Sequence, residues 1–170
     1  MKKIDRLPCG RVPDAKDCTL SSLGLALEEE ITLTIARLYF QSFCTSESMT
    51  WIAAMAEAEA RFGPEQGPRV AARCLAALQA IRGARCSVFL FNNPGCPSCA
   101  ATATEHERRL IVALAALRRR DESKAQVEMM MLCEGNSSDR VLAALAALAR
   151  TLGPDVPQAR APAETARVAP

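Results

Sequence analysis

Apolar residues in the first half of the chain recur at helical spacing. Ile31, Ile35 and Leu38 lie three or four residues apart and lead into an aromatic cluster that ends at Phe43. A serine pair just before this pattern is suited to cap a helix. Gly-Pro pairs at 63–64 and 67–68 end one helical pattern and open another. The first half therefore predicts three helices, over about 22–43, 47–62 and 68–82.

The second half alternates short apolar runs with helical patterns. Val88–Phe91 is rich in residues that favour strands, and a polar turn follows it. Val127–Leu132 is equally short and apolar between polar flanks, which favours a second strand although methionine is a good helix former. The remaining segments have the composition of helices. This half therefore predicts a strand at 87–91, a helix at 97–119, a strand at 127–132 and a helix from about 138 to 152.

Together these patterns predict an α/β fold that is helix-rich, with three N-terminal helices and a small parallel β-α-β-α unit. We expect one domain over 20–153, with a helical part at 20–84 and the β-α-β-α part at 85–153. The ends at 1–19 and 154–170 carry proline and scattered charge without a period, which predicts a disordered arm and tail. Since two strands are too few for a stable sheet, either helices cover it or a homodimer completes it.

Composition narrows the classes of function. Apolar residues make up 49% of the chain but aromatic residues only 4%, which predicts a core of closely packed alanine-rich helices. The net charge of +2 is spread along the sequence, and it lacks the basic stripe of a nucleic-acid-binding protein. No apolar run is long enough to span a membrane, and polar residues follow Lys2 and Lys3 where a signal peptide would be apolar. We therefore expect a cytoplasmic protein with no nucleic-acid or membrane partner.

The chain has eight cysteines, at positions 9, 18, 44, 74, 86, 96, 99 and 133. In a cytoplasmic protein they predict thiols or metal ligands rather than a framework of disulfides. The most informative pair is Cys96-Pro-Ser-Cys99, which lies between the predicted strand and the predicted long helix. Unpaired N–H groups and the helix dipole at such a position favour a thiolate. A thiolate is either a redox nucleophile or a metal ligand.

Three interpretations of these thiols remain open on the sequence. In the first, Cys96 and Cys99 are a catalytic redox dithiol. In the second, they are metal ligands together with Cys133, which the predicted second strand brings to the same sheet edge, and Cys44. Such a set would hold zinc or an iron–sulfur cluster. In the third, the thiols are inert and the protein is a non-catalytic interaction module.

The segment 88–100 resembles the active-site segment of glutaredoxins and thioredoxin-like proteins. In that family an apolar strand passes through a short polar turn into Gly-Cys-Pro-x-Cys at the start of a helix, and Gly95, Cys96, Pro97 and Cys99 match this motif. The resemblance implies that Cys96 is the exposed nucleophile and Cys99 the resolving thiol. It also implies a protein or a low-molecular-weight thiol as partner, in redox chemistry or redox sensing. The β-hairpin and last helix of the family have no counterpart in this chain.

His106 is the single histidine of the chain. It follows Cys99 by seven residues, which is about 10 Å along a continuous helix and too far to share a metal ion with it. We therefore interpret His106 as a surface or half-buried side chain without a catalytic role.

Overall fold

The computed structural model describes residue 12 and residues 14–154. Within this part of the chain, helices dominate and the strands are two residues long. The predicted disorder of the two ends falls mostly outside the described residues, although Cys18 and Thr19 are placed in a strand. The helices are α1 (Leu27–Cys44), α2 (Thr50–Ala84), α3 (Pro97–Ala100), α4 (Glu105–Arg118), α5 (Glu122–Leu132) and α6 (Asp139–Leu152), and the strands are β1 (Cys18–Thr19) and β2 (Thr102–Ala103).

The core lies between four helices, because α1 packs on α2 and α4, and α6 packs on α2 and α4. Large side chains such as Leu33, Leu78 and Leu145 fill it, and small ones such as Ala58 and Ala113 let the helices approach closely. The core is alanine-rich, as the composition predicted. Among the described helices, none combines the length and the apolar character that a membrane span requires.

The predicted parallel β-α-β-α unit is wrong. In the described part of the chain the sheet is β1 paired antiparallel with β2, with Cys18 opposite Ala103 and Thr19 opposite Thr102. The predicted strands at 87–91 and 127–132 are absent, and so is the sheet edge at which we expected the cysteines to meet. The three helices of the first half and the last helix are present close to their predicted positions.

The segment predicted as the second strand is part of helix α5. Asp121 caps this helix by accepting a hydrogen bond from the backbone N–H of Lys124 at 3.0 Å. The helix buries one narrow stripe against α4, while apolar side chains also remain on its solvent side. Because apolar residues occur on both the buried and the exposed side of the helix, the sequence shows no helical period here. The buried side chains are Ala125, Met129 and Leu132, and the exposed ones are Val127, Met130 and Met131.

The segment predicted as the first strand has no regular secondary structure, because side chains take its backbone hydrogen bonds. The N–H of Leu90 donates to Nδ1 of His106 at 2.9 Å, and its carbonyl accepts from Oγ1 of Thr104 at 2.8 Å. The N–H groups of Cys86 and Ser87 donate to the Glu134 carboxylate. The apolar residues of the segment do pack inward, since Phe89 and Phe91 stack on Phe40. No strand lies beside the segment in the described part of the chain, so it does not form part of a sheet.

The helix predicted over 97–119 is divided in two. A single turn, α3, is followed by β2 and by α4, which begins after Thr104. The side chain of Thr104 accepts from the N–H of Glu107 at 3.1 Å, and the Glu107 carboxylate accepts from the N–H of Thr104 at 2.8 Å. This capping box fixes the start of α4 and separates it from the turn that carries the dithiol.

Helix α2 turns sharply at Gly63, whose φ of 82° lies in the left-handed region that favours glycine. The arms at 50–62 and 64–84 then lie against each other at Gly67. A Cβ atom on Gly67 would lie 2.5 Å from the Cα of Glu59 and 2.7 Å from the carbonyl oxygen of Ala58. The absence of a side chain at Gly67 therefore allows this close approach.

We expect Gly67→Ala to lower the free energy of unfolding by about 1–3 kcal/mol, because the new methyl group meets backbone atoms that cannot rotate away. Gly83→Ala on the same helix is the matched control. A Cβ atom there has no neighbour within 4 Å, so the higher helix propensity of alanine should leave stability unchanged or raise it by up to about 1 kcal/mol. Urea denaturation measures both, and equal stabilities for the two variants would contradict the prediction.

Candidate functional site

A buried ion pair between Arg37 of α1 and Glu107 of α4 contacts the backbone next to the cysteine pair. Nε of Arg37 is 2.7 Å from Oε1 of Glu107, and the guanidinium also donates to Oε2 at 3.1 Å. The side chains are 2% and 0% exposed. Burying two charges is unfavourable unless their remaining donors and acceptors are satisfied. The partners of this pair therefore matter as much as the pair itself.

Backbone groups of the surrounding loop satisfy both charges. Oε1 of Glu107 accepts from the N–H of Asn92 at 2.9 Å, and Oε2 accepts from the N–H of Thr104. Arg37 donates to the carbonyl oxygens of Ala100 and Thr102. Together these bonds tie the residues before and after the Cys-Pro-Ser-Cys segment to the core.

Asn92 adds a second connection across the same loop. Its buried side-chain amide donates to the carbonyl and the hydroxyl of Thr102, at 2.8 and 3.1 Å. Residues 92 and 102 are thereby held together at the base of the loop. The segment from Asn93 to Ala101 is consequently a closed loop with fixed ends.

Cys96 and Cys99 lie within this loop, on one turn of helix. Cys96 is the N-cap of α3 and Pro97 its first residue, which matches the preference of proline for that position. Cys96 is 9% exposed and Cys99 1%. Because α3 has only four residues, the long helix whose dipole we expected to favour a thiolate does not follow the pair.

The spacing of the pair suits a disulfide. Residues three apart in a helical turn have Cα atoms roughly 5 Å apart, which is within the range that a disulfide bridges. The cysteines of the described part of the chain are thiols, with no disulfide between them. This spacing is compatible with a disulfide between Cys96 and Cys99.

The other two predicted metal ligands lie in different surroundings. Cys44 is exposed at the end of α1, and Cys133 is buried at the end of α5. In the part of the chain that the structure describes, no group of three or more Cys, His, Asp or Glu side chains is arranged to hold a metal ion. The convergence of Cys133 with Cys96 and Cys99 depended on the predicted sheet edge, which is absent.

Burial also disfavours the thiolate form of Cys133 and Cys74. Burial raises the pKa of the Cys133 thiol, and the nearby Glu134 carboxylate adds to the effect, while Arg85 opposes it. Burial raises the pKa of the Cys74 thiol to about 12. A buried thiol that stays protonated at neutral pH is a poor nucleophile and a poor metal ligand.

His106 and Arg85 form a second polar cluster, beside the extended segment. Arg85 donates to the Leu132 carbonyl and to Oγ of Ser87, and lies 3.0 Å from Glu134. One of its nitrogens is also 3.4 Å from Nε2 of His106. Since Nδ1 of His106 accepts from Leu90, a neutral ring carries its proton on Nε2, next to the guanidinium. Burial first, and then the Arg85 charge, lower the pKa of His106.

Sequence reasoning missed the residues that hold the loop, namely Arg37, Asn92, Thr104 and Glu107. For two of them a signal was present, because Thr104-Glu-His-Glu107 is the pattern of a capping box and marks a helix start. The pairing of Arg37 with Glu107 joins residues 70 positions apart. Neither the local pattern nor the composition contains that information.

Comparison of this chain with protein-family models, with curated proteins and with solved structures found no match.

We expect Arg37→Leu to lower the free energy of unfolding by about 3–5 kcal/mol, because it leaves the Glu107 carboxylate buried without its counter-ion. The control is Arg61→Leu, which removes an exposed partner of Glu57 and should cost at most about 1 kcal/mol. Chemical denaturation gives both values. Arg37→Leu should also speed the alkylation of Cys99 by loosening the loop. Equal losses of stability in the two variants would show that the buried pair does not stabilise the fold.

We expect the free energy of unfolding to decrease as the pH is lowered and His106 becomes protonated. Its pKa is lowered in the folded state, so the neutral ring contributes stability above the ordinary value of about 6.5. That contribution is lost as pH falls through the lower folded pKa. Unfolding free energies measured from pH 7.5 down to pH 5 should show this loss in the wild type and lack it in His106→Gln. A decline of the same size in both proteins would assign it to other groups.

Proposed function

We propose that Cys96 and Cys99 act as a reversible redox pair in thiol–disulfide exchange or redox sensing. One observation supports this function most directly: the two cysteines share a single helical turn in a loop whose ends are fixed by the buried Arg37–Glu107 pair. Among the described residues, Cys44 and Cys133 are not grouped with the pair in a way that could hold a metal ion. A dithiol needs only these two sulfur atoms, whereas the metal alternative needs four ligands.

The exposures of the two cysteine residues support different roles. Cys96 is at the start of the turn and is 9% exposed, while Cys99 is 1% exposed behind it. An incoming disulfide can reach Cys96 with less displacement of the loop. Cys96 is therefore the proposed nucleophile and Cys99 the resolving thiol. These are the roles that the glutaredoxin-like motif implies, but Cys96 is buried and is not the exposed thiol of that motif.

The proposed reaction is a pair of thiol–disulfide exchanges. The Cys96 thiolate attacks one sulfur of a partner disulfide, so that a mixed disulfide forms and the first partner thiolate leaves. The Cys99 thiolate then attacks the Cys96 sulfur, which closes the Cys96–Cys99 disulfide and releases the second partner thiolate. The partner disulfide is reduced to two thiols, and the protein dithiol is oxidised with the loss of two hydrogen atoms. The partner is a protein or a low-molecular-weight disulfide.

Fixed ends suit this exchange, because the turn does not have to be reorganised between the two states. The N–H of Ala100 donates to the Cys96 carbonyl at 2.8 Å, and the N–H of Cys96 donates to the Asn93 carbonyl at 3.3 Å. These backbone bonds do not involve the sulfur atoms and can persist when the disulfide forms. The redox change is then confined to the two side chains.

The test is equilibration of the protein with glutathione buffers of graded potential, followed by acid quenching, alkylation and mass spectrometry. We expect a Cys96–Cys99 disulfide to form in the wild type and in Cys44→Ser, which removes an exposed cysteine outside the pair. Cys96→Ser and Cys99→Ser should not form it. Cys99→Ser should instead accumulate a glutathione adduct on Cys96.

Two results would overturn the proposal. One is a dithiol that stays reduced at every potential, and the other is oxidation that yields disulfides among other cysteines only. Metal analysis of the purified protein provides an independent check. Stoichiometric zinc or iron that is lost in Cys96→Ser, Cys133→Ser and Cys44→Ser alike would replace the redox function by the metal one.

A further inference from the structure

A cavity of about 250 Å³ opens between the end of α1, the end of α2 and the extended segment 85–91. Its walls combine aromatic rings with two arginines, a composition that is unlike the rest of this alanine-rich protein. Ligand sites of small molecules are mostly apolar with a few placed polar groups, as this cavity is. The aromatic and cationic residues that line it are Phe40, Phe43, Phe89, Phe91, Arg82 and Arg85.

The aromatic rings form a stack on one side of the cavity. The ring of Phe40 lies 4.2 Å from that of Phe89 at an interplanar angle of 18°, and 5.5 Å from that of Phe91 at 25°. Phe43 meets Phe40 edge-on, with the centroids 6.1 Å apart. Such walls favour a flat aromatic ligand, which can continue the stack or meet an edge.

The arginines give the cavity a positive charge that its neighbours do not fully balance. Arg85 is paired with Glu134, so its charge is compensated. The partners that the structure shows for Arg82 are neutral: the Gln79 amide oxygen at 3.1 Å and the Phe43 ring, whose centroid is 4.5 Å away. The guanidinium of Arg82 is therefore available for an anion at the mouth of the cavity.

A second, independent observation concerns Arg85, which also lines the cavity. Its side chain is only 4% exposed, yet its buried Nε has no hydrogen-bond partner among the described residues. A buried donor without a partner carries an energetic cost, which a ligand oxygen would remove. Arginine donors suit carboxylates in particular, because the planar fork matches the two oxygens.

We propose that this cavity binds a small aromatic carboxylate, with its ring against the phenylalanine stack and its carboxylate on the arginines. An apolar ligand would leave both arginine donors unused. An inorganic anion would leave the aromatic walls uncovered. This site is separate from the dithiol and does not depend on the proposed redox function.

Cys44 provides a direct probe of occupancy, because this exposed thiol lines the same cavity. Naphthoate should slow the alkylation of Cys44 by iodoacetamide in a saturable manner, as followed by mass spectrometry. Cys86 is equally exposed but does not line this cavity, so its alkylation should not change. Naphthol, which lacks the carboxylate, and acetate, which lacks the ring, should each protect Cys44 at least about tenfold more weakly.

Arg82→Gln should weaken naphthoate binding by at least about tenfold in calorimetry and in the protection assay. Arg82 is exposed at the end of α2, so the substitution should leave the fold intact. Arg73→Gln removes the same charge from an exposed position on the same helix outside the cavity, and should bind naphthoate like the wild type. Absence of saturable protection, or equal affinity in Arg82→Gln and wild type, would overturn the proposal. Equal binding of naphthol and naphthoate would also overturn it.

Discussion

The ion pair between Arg37 and Glu107 is the interaction on which the loop of the cysteine pair depends. It joins α1 to α4 inside the protein, and each charge is shared with backbone groups of the loop that carries the cysteines. The Glu107 carboxylate accepts from both sides of this loop, at Asn92 and at Thr104. Removing such partners from a buried charge costs a large amount of free energy. The packing of α1 on α4 therefore also fixes the position of the loop.

A similar arrangement connects the ends of the helices at the other side of the core. Arg118 at the end of α4 lies 3.0 Å from the buried Glu29 near the start of α1, and it also donates to the Gly153 carbonyl after α6. The alanine-rich interior supplies close packing but few directional contacts. Buried arginine–glutamate pairs supply directional hydrogen bonds, and these bonds fix which helix ends lie next to each other.

The extended segment 85–93 illustrates how such side chains replace a sheet. A strand in this position would need a neighbour for its N–H and C=O groups. Here Glu134, His106, Thr104 and Glu107 accept from or donate to the segment instead. The phenylalanines of the segment are then free to stack on α1, and the same stretch of chain lines the aromatic cavity and leads into the dithiol loop.

The sequence by itself determined the helices whose apolar period is strong, the alanine-rich character of the core, and the closeness of Cys96 and Cys99 through their spacing. These properties are local, because they depend on residues a few positions apart. Only the tertiary structure decided that Val88–Phe91 and Val127–Leu132 are not strands, since a short apolar run fits a strand or a helix equally well until its neighbours are known. Only the tertiary structure, likewise, left Cys44 and Cys133 in separate surroundings and brought Arg37 to Glu107. Those relations join residues far apart in the chain, and the packing of the helices sets them.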